Sequence, residues 1–168
     1  PNLSIGELNG IPMVIKPSAN TSTFENIQKP GGRIQYLHHR ADEIGMDCVP
    51  PIWRQTPIVH LGPLANEVDR SMIAAFPNSQ VSMTPQGWMR KWDNRKRISF
   101  QPWPDEDTLK YLPKATAAIM SIEDVEENEE RVDEIASKIP ILAVTEGADG
   151  ARLYWNGDLR RFRPPKMK

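Results

Sequence analysis

The segment from Thr116 to Asn156 constrains the fold more than any other stretch, because two apolar runs flank one helical pattern. Thr116-Ala-Ala-Ile-Met-Ser121 is short and apolar, and so is Ile139 to Val144. Between them Val125, Val132, Ile135, Ala136 and Ile139 recur at spacings of seven, three, one and three. That is one face of an amphipathic helix. Strand, helix, strand is a βαβ unit, which requires a parallel sheet. Such sheets take their ligands at the carboxyl ends of the strands. Here those ends carry Ser121-Ile-Glu-Asp124 and Thr145-Glu-Gly147-Ala-Asp-Gly150.

The rest of the chain reads as support for these two corners. Asn9-Gly10 is a turn, and Ile11 to Ile15 is a strand candidate that Pro12 assigns to an edge. Ser18 to Thr23 is a hydroxyl-rich loop, Lys29-Pro-Gly-Gly32 a turn, and Arg33 to His38 an alternating, half-buried strand. Ala41 to Gln55 connects to a strand at Pro57 to Leu61. Asn66 to Phe76 reads as a helix with Val68, Met72, Ile73 and Phe76 inward, and Gln80 to Met83 as a strand. Asp93 to Pro104 reads as a loop, and Asp105 to Leu112 as a short helix capped by Asp105. Sixteen prolines punctuate segment edges, as at Pro50-Pro51 and Pro164-Pro165.

Several function classes lack support. The net charge of −1 gives no electrostatic bias toward nucleic acid or an anionic membrane. Trp88, Trp92 and Trp103 around Arg95-Lys-Arg97 read as aromatics packed on the domain, not as a base-stacking platform. His38 and His39 point to opposite sides of a strand and cannot chelate one metal, which argues against zinc. No apolar run approaches the roughly 20 residues that span a bilayer. A single cysteine, Cys48, excludes an internal disulfide and fits a reducing, cytoplasmic compartment. No Gly-x-Ser-x-Gly elbow or Walker loop occurs.

Both corners have local explanations. Ser121-x-x-Asp124 before an amphipathic run is a capping box, and its acids suit a helix N-terminus. Thr145-x-Gly147-x-x-Gly150 is a tight turn whose glycines permit positive φ. Together, however, the two motifs resemble the nucleotide half of the ribokinase/PfkB carbohydrate kinase family. That family sets Asn-x-x-Glu after one strand and Thr-x-Gly-x-x-Gly after the next. Ser121 and Asp124 stand for the Asn and the Glu, and Thr145, Gly147 and Gly150 match fully. Ala151 to Pro165 resembles the hairpin that follows, and Pro57-Ile-Val-His-Leu-Gly62 extends the likeness upstream. Where the family often has Asp-x-Asn-x-Arg, this chain has Thr84, Gln86 and Trp88.

The resemblance implies a single partial α/β domain over residues 1–168, with a mainly parallel sheet flanked by helices. Residues 1–40 would form a small β lid carrying the substrate edge, and 57–165 the nucleotide-side core. It implies an ATP-dependent kinase passing the γ-phosphoryl to a hydroxyl of a sugar or nucleoside. Ser121, Asp124, Thr145, Gly147 and Gly150 would border the nucleotide, Asp124 would hold the waters of a Mg²⁺, and Asn20 and Thr23 would meet the substrate. A homodimer through the lid strands is expected on the same ground. The family's catalytic Gly-Ala-Gly-Asp is absent from this sequence, so a fragment without turnover is expected. Gly147-Ala-Asp-Gly150 lies in the turn and is no substitute. The alternatives are a non-catalytic nucleotide- or metabolite-binding module, and a structural fragment that associates through an exposed sheet edge.

Overall fold

The computed structural model describes residues 10–30 and 32–165. Asn9 of the first turn and Gly31 of the second lie outside them. In chain order the strands are β1 (Thr23–Lys29), β2 (Gly32–His39), β3 (Ile58–Leu61), β4 (Gln80–Met83), β5 (Arg90–Trp92), β6 (Ile98–Phe100), β7 (Ala117–Ser121), β8 (Ile141–Thr145), β9 (Ala151–Trp155) and β10 (Asp158–Phe162). The α-helices are α1 (Gln86–Met89), α2 (Glu106–Tyr111) and α3 (Glu129–Ala136). Among the described residues no helix is long and apolar enough to cross a membrane.

The βαβ unit forms as its pattern requires. β7 and β8 are adjacent and parallel, in register from Ala117 opposite Ile141 to Ser121 opposite Thr145. They belong to a six-stranded sheet of order β10-β9-β8-β7-β4-β3. Pairing is parallel from β3 through β8 and antiparallel for β9 and β10. Ala118, Met120, Leu142 and Val144 are buried, while the alternate side chains of both strands are half-buried except Thr145, which is exposed. Val132 and Ile135 of α3 are fully buried and join them in one core, each contributing about 1.5–3 kcal/mol by leaving water. Trp88 and Trp103 are buried in the same core, and the Trp88 indole donates to the Val68 carbonyl at 2.8 Å.

Local chemistry overrides the periodic pattern at four places. β2 pairs with β1, not with the Ile11–Ile15 run. That run is unpaired, and Ile11, Val14 and Ile15 are more than half exposed at 58, 53 and 63 %. Pro12 lacks an amide hydrogen, and Thr23–Lys29 fills the register beside β2. Asn66 to Phe76 buries the expected Val68, Met72, Ile73 and Phe76, but only Arg70–Ala74 turns helically, as a 3₁₀ segment. Asn66 sits at φ 57°, and the backbone about Val68 bonds to Ile44 instead, through Ile44 N to Glu67 O and Asp69 N to Ile44 O. The stretch after Asp93 is a hairpin of β5 and β6, because Asp93 Oδ1 accepts from the Arg95 and Arg97 amides at 2.9 Å and closes the turn. Finally, α3 begins only at Glu129. Ser121 caps a 3₁₀ turn over Ile122–Val125, Glu126 and Glu127 then take positive φ, and Asn128 caps α3.

Asp105 caps α2 as expected, accepting from the Thr108 amide at 2.8 Å. The lid is likewise larger than one hairpin. Leu37 N donates to Lys96 O at 2.9 Å, and Tyr36 bridges Arg97, so β1–β2 and β5–β6 are joined edge to edge.

Candidate functional site

The two motifs meet at the carboxyl edge of the sheet, since Ser121 and Thr145 are paired residues of β7 and β8. The capping box is complete. Asp124 Oδ2 accepts from the Ser121 amide at 2.9 Å, and Ser121 Oγ accepts from the Glu123 amide at 3.3 Å. Thr145 is exposed, with its hydroxyl donating to the Met120 carbonyl at 3.4 Å. Asp124, by contrast, is buried at 4 % exposure.

The two glycines of the turn do different work. Gly147 has φ 56°, and a Cβ there would meet nothing within 4 Å, so its backbone faces open space. Gly150 has φ 105°, and a Cβ there would lie 2.0 Å from the Phe162 carbonyl oxygen. Gly150 therefore serves the hairpin, and Gly147 leaves the edge uncovered. Behind the turn, Arg152 is buried at 4 % of its side chain between two carboxylates. Its Nη1 is 2.7 Å from Glu129 Oε2, and its Nε 2.8 Å from Glu146 Oε1. The hydrogen bond from Arg152 holds the Glu129 carboxyl below its ordinary pKa, and the same bond raises that of Arg152. This pair ties the start of α3 to β9 and fixes the loop from behind.

Asp124 bonds Gln86 of α1 and lines a cavity that lid residues share. Its Oδ1 accepts from Gln86 Nε2 at 2.7 Å. With Gln28, Gly32, Arg33, Gln35, Gln86, Phe100 and Glu123 it lines a cavity of about 450 Å³ between lid and sheet edge. Gln86 in turn accepts from Arg90 Nη2 at 2.7 Å. Arg90 is 6 % exposed, also donates to the Leu64 carbonyl, and stacks 5.0 Å from the Phe24 ring centroid. Burial lowers its pKa, with Asp124 opposing that shift, Arg33 adding to it and Glu67 opposing it.

Asn20 and Thr23 are both exposed, the Thr23 hydroxyl donates to the Thr21 carbonyl, and Gln28, Arg33 and Gln35 line the lid cavity. Sequence reasoning registered Gln86 only as a departure from a pattern and did not single out Arg33, Arg90 or Arg152. Gln86 was findable from its place just after β4, at a strand's carboxyl end. Arg90 and Arg152 carried little local signal, because Leu64 and Glu129, which they bond, lie 26 and 23 residues away. Among the described residues no group of three or more His, Cys, Asp or Glu side chains could cage a metal. Asp124 and Glu123 line one wall of the cavity, and both Asp124 oxygens already accept hydrogen bonds, from Gln86 Nε2 and from the Ser121 amide.

No protein-family model matches the chain, and no curated protein matches it. Solved structures do. A sulfate complex of a pyrophosphate-dependent kinase in the ribokinase family matches 98 % of this chain at TM-score 0.80 and 21 % identity. A pyrophosphate-dependent myo-inositol-1 kinase converted into a myo-inositol-3 kinase matches 95 % at TM-score 0.76 and 20 % identity. The adenosine kinase of Sinorhizobium meliloti matches 92 % at TM-score 0.62 and 11 % identity. The chain spans 61, 56 and 50 % of those three chains. Likeness at such identities carries the fold, and the chain accordingly folds as a ribokinase-like α/β domain, the fold its two corner motifs resemble.

Proposed function

We propose that this chain is the donor side of a ribokinase-family phosphotransferase, which moves a phosphoryl group onto a hydroxyl of a sugar, polyol or nucleoside. The observation that carries the reading is the pairing of Ser121 with Thr145, which sets both motifs side by side at the carboxyl edge of a parallel sheet. In this reading the open Gly147 backbone admits the phosphates, the Thr145 hydroxyl donates to them, and Asp124 with Glu123 holds Mg²⁺ through water. The cation would neutralise phosphate charge that these acids alone would repel. The acceptor enters the cavity under the lid, where Arg33 and the carboxamides of Gln28, Gln35 and Gln86 can exchange hydrogen bonds with hydroxyls.

ATP is the donor on the motif resemblance. Pyrophosphate is the second reading, supported because three matching structures are of pyrophosphate-dependent kinases. The lid hairpin would carry homodimer contacts, with Ile27 and Ile34 as its half-buried apolar groups. A single free Cys48 fits a cytoplasmic setting.

The sequence contains no Gly-Ala-Gly-Asp to take the acceptor proton. Purified chain with Mg-ATP or Mg-pyrophosphate should therefore phosphorylate none of a panel of sugars, inositols and nucleosides. Turnover by pure chain in a radiolabel assay would move the catalytic base into residues 1–168 and overturn this division of labour.

A further inference from the structure

We propose that Gln86 and Arg90 are positioning residues, which couple the lid to the carboxylate at the donor corner. The coupling is a claim about the chain's own geometry; its meaning for phosphoryl transfer rests on the reading of Asp124 given above. A continuous series of contacts runs from one to the other. The Phe24 ring of β1 lies 5.0 Å from the Arg90 guanidinium, Arg90 Nη2 donates to Gln86 Oε1 at 2.7 Å, and Gln86 Nε2 donates to Asp124 Oδ1 at 2.7 Å. Asp124 Oδ2 then accepts from the Ser121 amide at 2.9 Å, at the very end of β7.

The middle member has to be a carboxamide. A primary amide presents an acceptor at one atom and donors at the other, so it links a guanidinium to a carboxylate in a single orientation. A carboxylate at position 86 would keep the Arg90 bond and repel Asp124. An apolar residue would lose both.

Arg90 is buried and bonded to both Leu64 and Gln86. It is 6 % exposed, and among the described residues its Nε has no hydrogen-bond partner. A second route starts at the same residue. Arg90 opens β5, β5 pairs with β6, and the turn between them bonds to the lid through Leu37 N to Lys96 O and Lys96 Nζ to the His38 carbonyl. Movement of the lid therefore reaches Arg90 by backbone and by side chain together, and leaves it through Gln86. Packed networks of this kind transmit displacement because they cannot deform gradually.

The test is a double-substitution cycle read by NMR on the full 168-residue chain. Phe24→Leu removes the ring from Arg90 while keeping apolar bulk in the lid. It should shift the Ser121 amide and the Asp124 side-chain carboxyl carbon by more than it shifts the remote Leu153 of β9. Repeated on a Gln86→Glu background, the same lid substitution should move those two probes by less than half as much. Gln86→Leu is the second background, and Gln86→Glu keeps the side-chain size and the Arg90 bond. A Phe24→Leu shift no larger than that at Leu153, or one that keeps half or more of its size when Gln86 is replaced, overturns the proposal. The donor reading fails separately, on the same spectra, if Mg-ATP and Mg-pyrophosphate leave the Thr145–Gly150 loop unmoved.

Discussion

Gly87→Ala should remove a large share of the stability of this protein. Gly87 is buried in α1, and a Cβ there would lie 2.3 Å from the Pro63 carbonyl carbon and 2.4 Å from both Leu64 N and Pro63 O. All three atoms are backbone, so no rotamer change relieves the contact. The approach is also fastened, because Gly87 N donates to Pro63 O and Asn66 N donates to Gly87 O, each at 3.1 Å. Separating the two segments would break both bonds and drag the fully buried Trp88 and Met89 out of register. A loss above about 4 kcal/mol is expected, a large part of the roughly 5–15 kcal/mol that holds a domain folded. Urea denaturation followed by tryptophan fluorescence measures it. A midpoint within error of the wild type would show that the Pro63–Asn66 segment and α1 do not touch as described.

Gly147 and Gly150 should respond to alanine very differently. Gly150→Ala combines φ 105° with a Cβ 2.0 Å from the Phe162 carbonyl, where β10 folds back over the turn. Around 3 kcal/mol or more should be lost, and the β9–β10 pairing should loosen. Gly147→Ala meets nothing within 4 Å and pays only for φ 56°, about 1 kcal/mol. Thermal melting of the two variants side by side checks the ranking. Equal losses would remove the distinction between a glycine kept for packing and one that leaves a surface open.

Much of the sheet was legible because its strands are apolar runs bounded by turn residues. β7 and β8 sit where Ala117–Met120 and Ile141–Val144 placed them, and the hairpin after Gly150 follows. The helical face of α3 was legible from its buried Val132 and Ile135, but its start was not. Consecutive positive-φ residues at Glu126 and Glu127 are an uncommon choice for glutamate, and no pattern announces them. β1 was missed because Thr23–Lys29 lacks strict alternation, and β6 because three residues are too few to show a period. The helix expected at Asn66–Phe76 failed on a backbone bridge to Ile44, more than twenty residues upstream. At the site, the strand ends could be placed from local sequence. The Arg90–Gln86–Asp124 series could not, since its members meet across 38 residues.

The most direct measurement is an NMR titration of the chain with Mg-ATP and with Mg-pyrophosphate, on wild type and on Gly147→Val. Gly147 combines an open approach with positive φ, so valine both crowds the edge and strains the turn. With the Gly-Ala-Gly-Asp loop absent from the sequence, binding should be on the order of millimolar, since each tenfold in affinity requires about 1.4 kcal/mol of contacts. At least one donor should shift Ser121, Thr145, Gly147 and Gly150 of the wild type together, and the response should be lost in Gly147→Val while the rest of the spectrum stays folded. Shifts confined to other surfaces, or unchanged by the valine, would contradict the donor assignment and leave Ser121–Asp124 as a helix cap and Thr145–Gly150 as a turn.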